Sequence, residues 1–472
     1  MSGGAPGAEF VLLLAGVTLA TFAVRASFIS GGRWVKGDSL YHLAIARETR
    51  RLGHLPATID RFILPETYAY PPLHHLIISR IPGRWDLQTQ KVGFAYDALT
   101  TFAVGYAGYA LGGWEAGLVA PLVYVLSPFP LTSCLATSPQ PLGVFFVAAF
   151  ALSAASLPSA PGSAFLPLFV LSGAAAAGAM LSHRSTSQAL IPLAAAESLA
   201  YGPLDFVGPL LLGSLIALLL FRERFLAQVR EHVKFVVLQG GHQLNVLSGL
   251  LKQRRFARAL EVHFMPRVVA ANFPLVVLVP LLLLFVPGAP LYLLLWAAGV
   301  IAMYLLWLPG RGYRHLAAAV PALSLLSAWA IGASPLAAVP LIGVPLALSA
   351  AKYLRTVRRG KIFLTSQSLS ACAALDRLAS DGDMVLVIPF SESYTALYFS
   401  RCKILQGSGG DPEGLMFNRR LDQLISQEGG VEALVRQYGP RFVLLSSAAE
   451  AKVAGTVLFE NEGYRIIGVG SH

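Results

Sequence analysis

Charge is scarce in this chain. Only 13% of its 472 residues are Asp, Glu, Lys or Arg, against about 25% in an ordinary soluble domain. That shortage excludes a fully water-soluble globular protein. Cysteine is scarcer still. The three residues, Cys134, Cys372 and Cys402, have no metal-binding spacing, which excludes a zinc module and a disulfide-built scaffold. Cys134 reads as a small core residue. Cys372 and Cys402 read as two free thiols, and a disulfide between them stays open if they face an oxidising compartment. A Gly-x-Gly-x-x-Gly phosphate loop is missing as well. Gly407-Ser-Gly-Gly-Asp411 has loop residues but no helix start behind it. No repeat of fixed period is found.

What the chain has in abundance is apolar sequence. Hydrophobic residues make up 55% of it, and the mean hydropathy is +0.62. Runs of roughly 20 apolar residues recur, each long enough to cross about 30 Å of hydrocarbon as a helix. They lie near 8–28, 90–112, 114–131, 139–157, 163–182, 186–201, 203–221, 268–287, 289–308, 314–333 and 335–354, about eleven spans of a multi-pass membrane protein. The first is expected to stay as an anchor. It is too long for a signal peptide and has no basic n-region, with Arg25 near its far end. The net charge of +11 belongs to loops that meet anionic membrane lipids rather than to nucleic-acid binding, because no zinc-finger or aromatic-basic pattern accompanies it.

The pattern divides the chain in two. Residues 1–354 read as a helical membrane domain interrupted by polar stretches at 31–89 and 222–266. The second stretch has eight Lys or Arg and three Glu. Its Phe225, Val229, Val233, Val236, Val237, Leu247 and Leu251 recur at roughly helical intervals, so it reads as one or two interfacial helices. A role in binding a lipid phosphate and a plain cytoplasmic positive loop both fit it. After the basic run Lys352–Lys361 the periodicity changes. Residues 355–472 read as a small α/β domain, with strands at 384–389, 403–406, 442–446 and 464–469 and helices at 366–380, 415–427 and 431–438.

The most informative stretch is the first polar one. It reads Gly-Asp38-Ser-Leu-Tyr41-His42, then Gly53-His-Leu-Pro56, then Thr67-Tyr-Ala-Tyr-Pro-Pro-Leu-His-His-Leu76. Asp38 opens a predicted amphipathic helix, with Leu40, Leu43, Ala44 and Leu52 on its apolar side, lying on the membrane surface. Asp suits a helix N-cap. A lone carboxylate also suits a base that takes a proton from an attacking hydroxyl; the two roles are compatible. His42, four residues on, shares its face. It reads as a surface histidine, with a shared proton or metal as the other reading. His74 and His75 are neighbours and point apart, a poor metal pair. Pro71-Pro72 makes a rigid turn.

The ordered set of Asp38, Tyr41 and His42, Gly-x-x-Pro and Tyr-x-Tyr-Pro-Pro-Leu after a first span resembles the first external loop of the GT-C glycosyltransferases. These membrane enzymes take sugar from a polyprenyl-phosphate carrier. The resemblance is specific over about forty residues and nearer to the dolichyl-phosphate-mannose and aminoarabinose transferases than to oligosaccharyltransferases. It implies a GT-C-like fold ending in an external α/β domain. It implies Asp38 as the catalytic residue, with Tyr41, His42, Tyr68 and Tyr70 as candidates for contacting substrate. Arg311-Gly-Tyr-Arg314-His315 before a late helix resembles the family's segment whose Arg faces the donor phosphate. A guanidinium binds phosphate through two parallel hydrogen bonds, though Arg311 and Arg314 also suit a helix end at headgroup level. His183 and Arg184, between two spans, join this donor-phosphate set.

The departures from the family matter too. Gln140 stands before Pro141-Leu142 where many members carry a charge. The Asp-x-Asp pair after the third span and the Trp-Trp-Asp signature of oligosaccharyltransferases are both missing. Asp381-Gly-Asp383 is the one such pair, and it reads as a turn. No metal ligand is therefore assigned, and glycan transfer to protein asparagine is disfavoured. Asp97, inside a predicted span, suits either function or helix–helix hydrogen bonding.

The implied protein is a hexosyl- or pentosyltransferase of the cell envelope. Its donor would be a polyprenyl-phosphate-sugar and its acceptor a glycan, lipid or protein. The alternatives are a secondary transporter, which should show two related halves, and a non-catalytic membrane scaffold. Eleven spans put the two termini on opposite sides. The resemblance puts 31–89, His183, Arg311 and the C-terminal domain outside, and this leaves basic loops outside too, against the positive-inside tendency.

Overall fold

The computed structural model describes residues 7–469 apart from 30, 31, 65, 134, 136, 259, 260, 262–264, 285, 287, 307–311, 361, 408–411, 428, 450 and 452. Cys134, Arg311 and the 408–411 part of the glycine-rich loop therefore lie outside the described residues. The chain forms two compact units. One comprises residues 1–30, 71–74 and 91–359; the other comprises 31–70, 75–90 and 360–472.

The first unit is helical. Six of its described helices are long and apolar enough to cross a membrane, or seven if the bent pair Pro266–Asn272 and Leu275–Leu283 counts as one span. Leu291–Leu305 is a further, shorter apolar helix. The run Val92–Leu126 breaks at Gly112 and Gly113 and folds back on itself. A Cβ on Gly108 would lie 2.5 Å from the Ala116 carbonyl oxygen, an approach that eight residues of straight helix, about 12 Å long, would forbid. Its two arms fall within the expected spans 90–112 and 114–131, the second arm ending at Leu126 rather than 131.

Arg314–Ala333 is the central helix, with 78% of its most apolar stretch buried against 22% for Ala8–Ser27. The fully buried Trp296 donates its indole N–H to the Ala318 carbonyl at 2.9 Å. Hydroxyls in these helices return to the turn before them, as Ser324 does to Val320 O and Ser327 to Leu323 O. These two donors are thereby kept from facing hydrocarbon. Asp97 is engaged in the same spirit. The buried Arg25 guanidinium pairs with it, and the Tyr124 hydroxyl donates to its other oxygen at 2.9 Å. Of the two readings of Asp97, the structure shows helix–helix bonding.

The second unit is built on a mixed sheet. A two-stranded ribbon, β1 (Thr58–Ile59) and β2 (Glu66–Thr67), precedes it. The sheet has strands β3 (Met384–Ile388), β4 (Lys403–Ile404), β5 (Phe442–Ser446), β6 (Thr456–Glu460) and β7 (Tyr464–Gly468), in the order β4-β3-β5-β7-β6. β3 runs parallel to β4 and β5, and β7 runs antiparallel to β5 and β6. The first polar stretch belongs to this sheet. Ile63 N–H donates to Ile404 O and Ile404 N–H to Arg61 O, at 2.9 and 2.7 Å, so residues 61–63 extend the β4 edge.

The helix Asp38–Leu52 corrects an expectation. Leu40 and Leu43 are fully buried and pack with Leu364 and Tyr398. Arg47 donates to the Tyr398 carbonyl at 2.9 Å with its guanidinium 4.0 Å above the Tyr398 ring. Arg50 binds Asp86, which also accepts from the Tyr398 hydroxyl at 2.6 Å. The apolar face therefore meets protein, helix Ser393–Phe399 above all, rather than lying in the headgroup layer. Cys372 and Cys402 are free buried thiols. Asp381–Asp383 is a turn, with Gly382 at φ 89° and Asp383 accepting from Ser380 N–H and Arg441.

Candidate active site

Asp38 opens its helix as the first helical residue, and the N-cap position is Gly37, at φ 78°. A left-handed φ suits Gly because no Cβ is in the way. The cap role expected for Asp38 thus falls one residue earlier. Its carboxylate is exposed and makes no hydrogen bond or ion pair among the described residues. One turn further on, His42 is buried, not on the surface as its place in an amphipathic helix suggested. Its Nδ1 lies 2.9 Å from His75 Nε2. His75 Nδ1 lies 2.7 Å from the Tyr68 hydroxyl. Tyr70 packs edge-on against both imidazoles, and Tyr41 packs against His42 and Tyr394. Tyr41 and Tyr68 are buried, while Tyr70 is half-buried. Burial lowers the His42 pKa from 6.5 to about 4, outweighing the opposite pull of the nearby Asp38 charge. The imidazole is therefore neutral near pH 7. His74 does point away from its neighbour, with Nδ1 3.3 Å from the Tyr96 hydroxyl.

A second set of residues meets in the helical unit. His183 caps the helix Arg184–Tyr201, its Nδ1 accepting from Ser185 N–H at 3.2 Å. Ser185 O lies 3.1 Å from His315 Nδ1, and Gln140 Nε2 donates to Arg314 O at 3.0 Å. His183, Arg314 and Gln140 thus belong to one polar cluster. The Arg314 side chain is exposed. Beside this cluster runs a groove of about 340 Å³. Leu210, Phe225, Val229 and Val233 supply an apolar wall, and Arg184, Gln188 and His232 supply a polar end. Gln188 Nε2 meets His232 Nε2, which makes Nδ1 the protonated nitrogen of a neutral ring. That Nδ1 is buried with no hydrogen-bond partner among the described residues. An apolar wall ending in a cation and a spare donor suits an amphiphile with an anionic head. Among the described residues no group of three His, Cys, Asp or Glu is placed to hold a metal ion.

Neither a protein-family model nor a curated protein matches this sequence. The structure does have likenesses. It aligns with ArnT from Cupriavidus metallidurans bound to undecaprenyl phosphate over 98% of both chains, with a TM-score of 0.64 and 13% identity. The chain has the GT-C fold. The archaeal oligosaccharyltransferase AglB from Archaeoglobus fulgidus, in complex with an inhibitory peptide and a dolichol-phosphate, matches 91% of this chain and 69% of its own, with a TM-score of 0.61 and 11% identity. The arabinofuranosyltransferase AftD from Mycobacteria matches 99% of this chain and 42% of its own, with a TM-score of 0.53 and 14% identity.

Within this GT-C fold, several residues of interest had weak sequence signals. His75 read as half of a poor metal pair, and its partner His42 is 33 residues away. Gln228 and His232 sit four apart, each just before a valine (Val229 and Val233), a spacing that puts them on one helix face, but nothing in composition marks that face as a groove wall. Gln140 stood out only as a departure from the family pattern.

Proposed function

We propose that this protein is a membrane glycosyltransferase that moves a sugar from a polyprenyl-phosphate carrier to an acceptor hydroxyl on the external face of the membrane. The likeness along the whole chain to a protein bound to undecaprenyl phosphate carries this reading. Asp38 is the base in it. An inverting single displacement needs one carboxylate to take the acceptor proton while the sugar C1–oxygen bond to phosphate breaks. An exposed carboxylate that is not committed to any other group fits that task. Tyr70 is the aromatic ring best exposed for contact with the sugar. Tyr41, His42 and Tyr68 act from beneath.

Arg184, Arg311, Arg314 and His183 are the residues proposed to hold the donor phosphate. The groove that ends at Arg184 and His232 supports an anionic lipid there, its prenyl chain lying along Leu210, Phe225 and Val229. Charge stabilisation of the leaving phosphate and correct placement supply most of what such a transfer requires. No metal-dependent step is included.

The test uses purified protein in detergent with undecaprenyl-phosphate-linked sugars as donors. Asp38→Asn keeps the size of the side chain but cannot take a proton. It should stay folded and bind donor normally while transfer drops roughly 100-fold or more. Wild-type turnover in Asp38→Asn would remove the base assignment. Arg184→Ala should weaken undecaprenyl phosphate binding by roughly 10-fold or more, the loss of a charge-assisted hydrogen bond. Transport of a soluble solute without binding of any such lipid would replace the enzyme reading altogether.

A further inference from the structure

The groove beside the His183 cluster holds two buried polar atoms that an apolar wall does not explain. Both belong to the arm of helix Pro203–Lys252 that follows its break at Arg222. Gln228 is only 5% exposed. Its Nε2 donates to the Met180 carbonyl at 2.9 Å. A carbonyl can only accept, so this bond settles which way the amide is turned. The other end, Oε1, is therefore an acceptor, and it is buried with no hydrogen-bond partner among the described residues. One turn further on, His232 Nδ1 is in the same condition. With Gln188 Nε2 against its Nε2, His232 offers Nδ1–H as a donor.

Gln228 and His232 line the groove together with Arg184 and Gln188. Their contacts with Met180 and Gln188 hold the arm against the groove at two points one turn apart. The break at Arg222 has a φ of 35°, a left-handed value that is unfavourable for a non-glycine residue, and these contacts help to hold it.

The chemistry of the two atoms says what fits them. Arg184 draws an anionic head to this end of the groove. A phosphodiester has acceptors alone, so it offers the Gln228 oxygen nothing. An ammonium would suit Gln228 but not the His232 N–H, and Arg184 would repel it. A hydroxyl both donates and accepts. One hydroxyl, or two on neighbouring carbons, matches an acceptor and a donor carried by side chains about 5–6 Å apart at Cβ.

We propose that Gln228 and His232 are specificity-determining residues: Gln228 Oε1 accepts from, and His232 Nδ1–H donates to, a hydroxyl on the anionic head of the lipid held at Arg184. The inference rests on the reading of this groove as the place of a polyprenyl-phosphate donor, and adds what the head must carry. A head without the hydroxyl leaves both buried groups unpaired, and that is the strongest kind of discrimination a pocket has. The hydroxyl sits on the sugar or, in a carrier without sugar, on the phosphate.

The test measures binding of three lipids to the purified full chain in detergent near pH 7. They are an undecaprenyl-phosphate-linked hexose, undecaprenyl phosphate, and undecaprenyl methyl phosphate, whose head is anionic but has no hydroxyl. Wild type should bind a hydroxyl-bearing head about 10-fold or more tighter than the methyl diester. Gln228→Met keeps the length of the side chain. The Met180 carbonyl keeps the Ser187 hydroxyl as a donor at 3.0 Å, so the thermal midpoint should hold. The variant should lose most of that preference while binding the methyl diester as wild type does, and His232→Phe should lose part of it. A Gln228-dependent preference for the hexose lipid alone places the hydroxyl on the sugar; one for undecaprenyl phosphate alone places it on the phosphate. Equal wild-type affinity for all three lipids, or equal weakening of all three by Gln228→Met, would overturn the proposal and leave the groove reading standing. A wild-type protein that binds none of them would end the groove reading and the proposal with it.

Discussion

Burial decides the charge of His42, and this has a measurable effect on stability. In the unfolded chain the ring titrates near 6.5; in the folded protein it titrates near 4. Between these values the unfolded state binds more protons, so folding is progressively disfavoured as the pH drops from 6.5 to 4, at roughly 1 kcal/mol per pH unit. Above 6.5 the two states bind equally and the contribution vanishes; below 4 it is constant. The groups against the ring include Asp38, His75, Tyr41 and Tyr70, and of these Asp38 opposes the shift. His42→Gln should therefore show a shallower loss of thermal midpoint in detergent than wild type between pH 6.5 and 4. Parallel profiles would mean that the buried ring does not govern this window. Asp38 was a candidate in the sequence through the resemblance carried by the Tyr-x-Tyr-Pro-Pro-Leu pattern after it, since its type and place alone suit a helix N-cap as well. The run His42–His75–Tyr68 was not legible there. Sequence spacing links Asp38 to His42 one turn away, but nothing local links His42 to His75, 33 positions further along.

Helix contacts in the membrane depend on close approach and on satisfied polar groups, and both can be tested. A Cβ on Gly108 would meet a backbone carbonyl at 2.5 Å, which cannot swing aside as a side chain does. Gly108→Ala should therefore lower the thermal midpoint, at a cost of roughly 1–3 kcal/mol, whereas a Cβ on Gly16 meets nothing within 4 Å and Gly16→Ala should be nearly silent. Equal effects at the two sites would refute the close hairpin. The Arg25–Asp97 pair predicts a non-additive result. Arg25→Met alone leaves a buried anion and should cost roughly 3–5 kcal/mol. Adding Asp97→Asn removes that anion, keeps an acceptor for Tyr124, and should restore much of the loss. The same scale shows what the sequence revealed. Long apolar runs and the Gly112–Gly113 break were plain, as were the strands Met384–Ile388, Phe442–Ser446 and Tyr464–Gly468 with their continuous apolar cores. Strand Thr456–Glu460 escaped because its residues are mostly exposed and show no alternation. Helix Ser393–Phe399 escaped because seven residues are too few to establish a period. The helix after Asp38 was found but misplaced, since an apolar stripe looks the same whether it faces lipid or protein.

Orientation is the property of the whole molecule on which the proposed reaction depends. An acceptor and a polyprenyl-linked donor on the external face require the second unit to lie outside, yet Lys352–Lys361, which leads into it, is the kind of basic run that the positive-inside tendency keeps in the cytoplasm. These two arguments make opposite predictions for one residue. Ser447 is exposed at the end of β5, with its N–H held by the Gly463 carbonyl at 2.8 Å, so a thiol there would be accessible without disturbing the strand. The native thiols of this unit compete little. Both are buried, and burial pushes Cys372 up to about 12 and Cys402 up to about 11, which leaves almost no reactive thiolate near neutral pH. With Cys134, Cys372 and Cys402 replaced by Ala, Ser447→Cys should react with a membrane-impermeant maleimide on intact cells as fully as after lysis. Labelling only after lysis would put the second unit in the cytoplasm. Asp38, which belongs to the same unit, would then face the cytoplasm too, and an external acceptor would be ruled out while the carbohydrate chemistry itself remained to be assayed on the inner face.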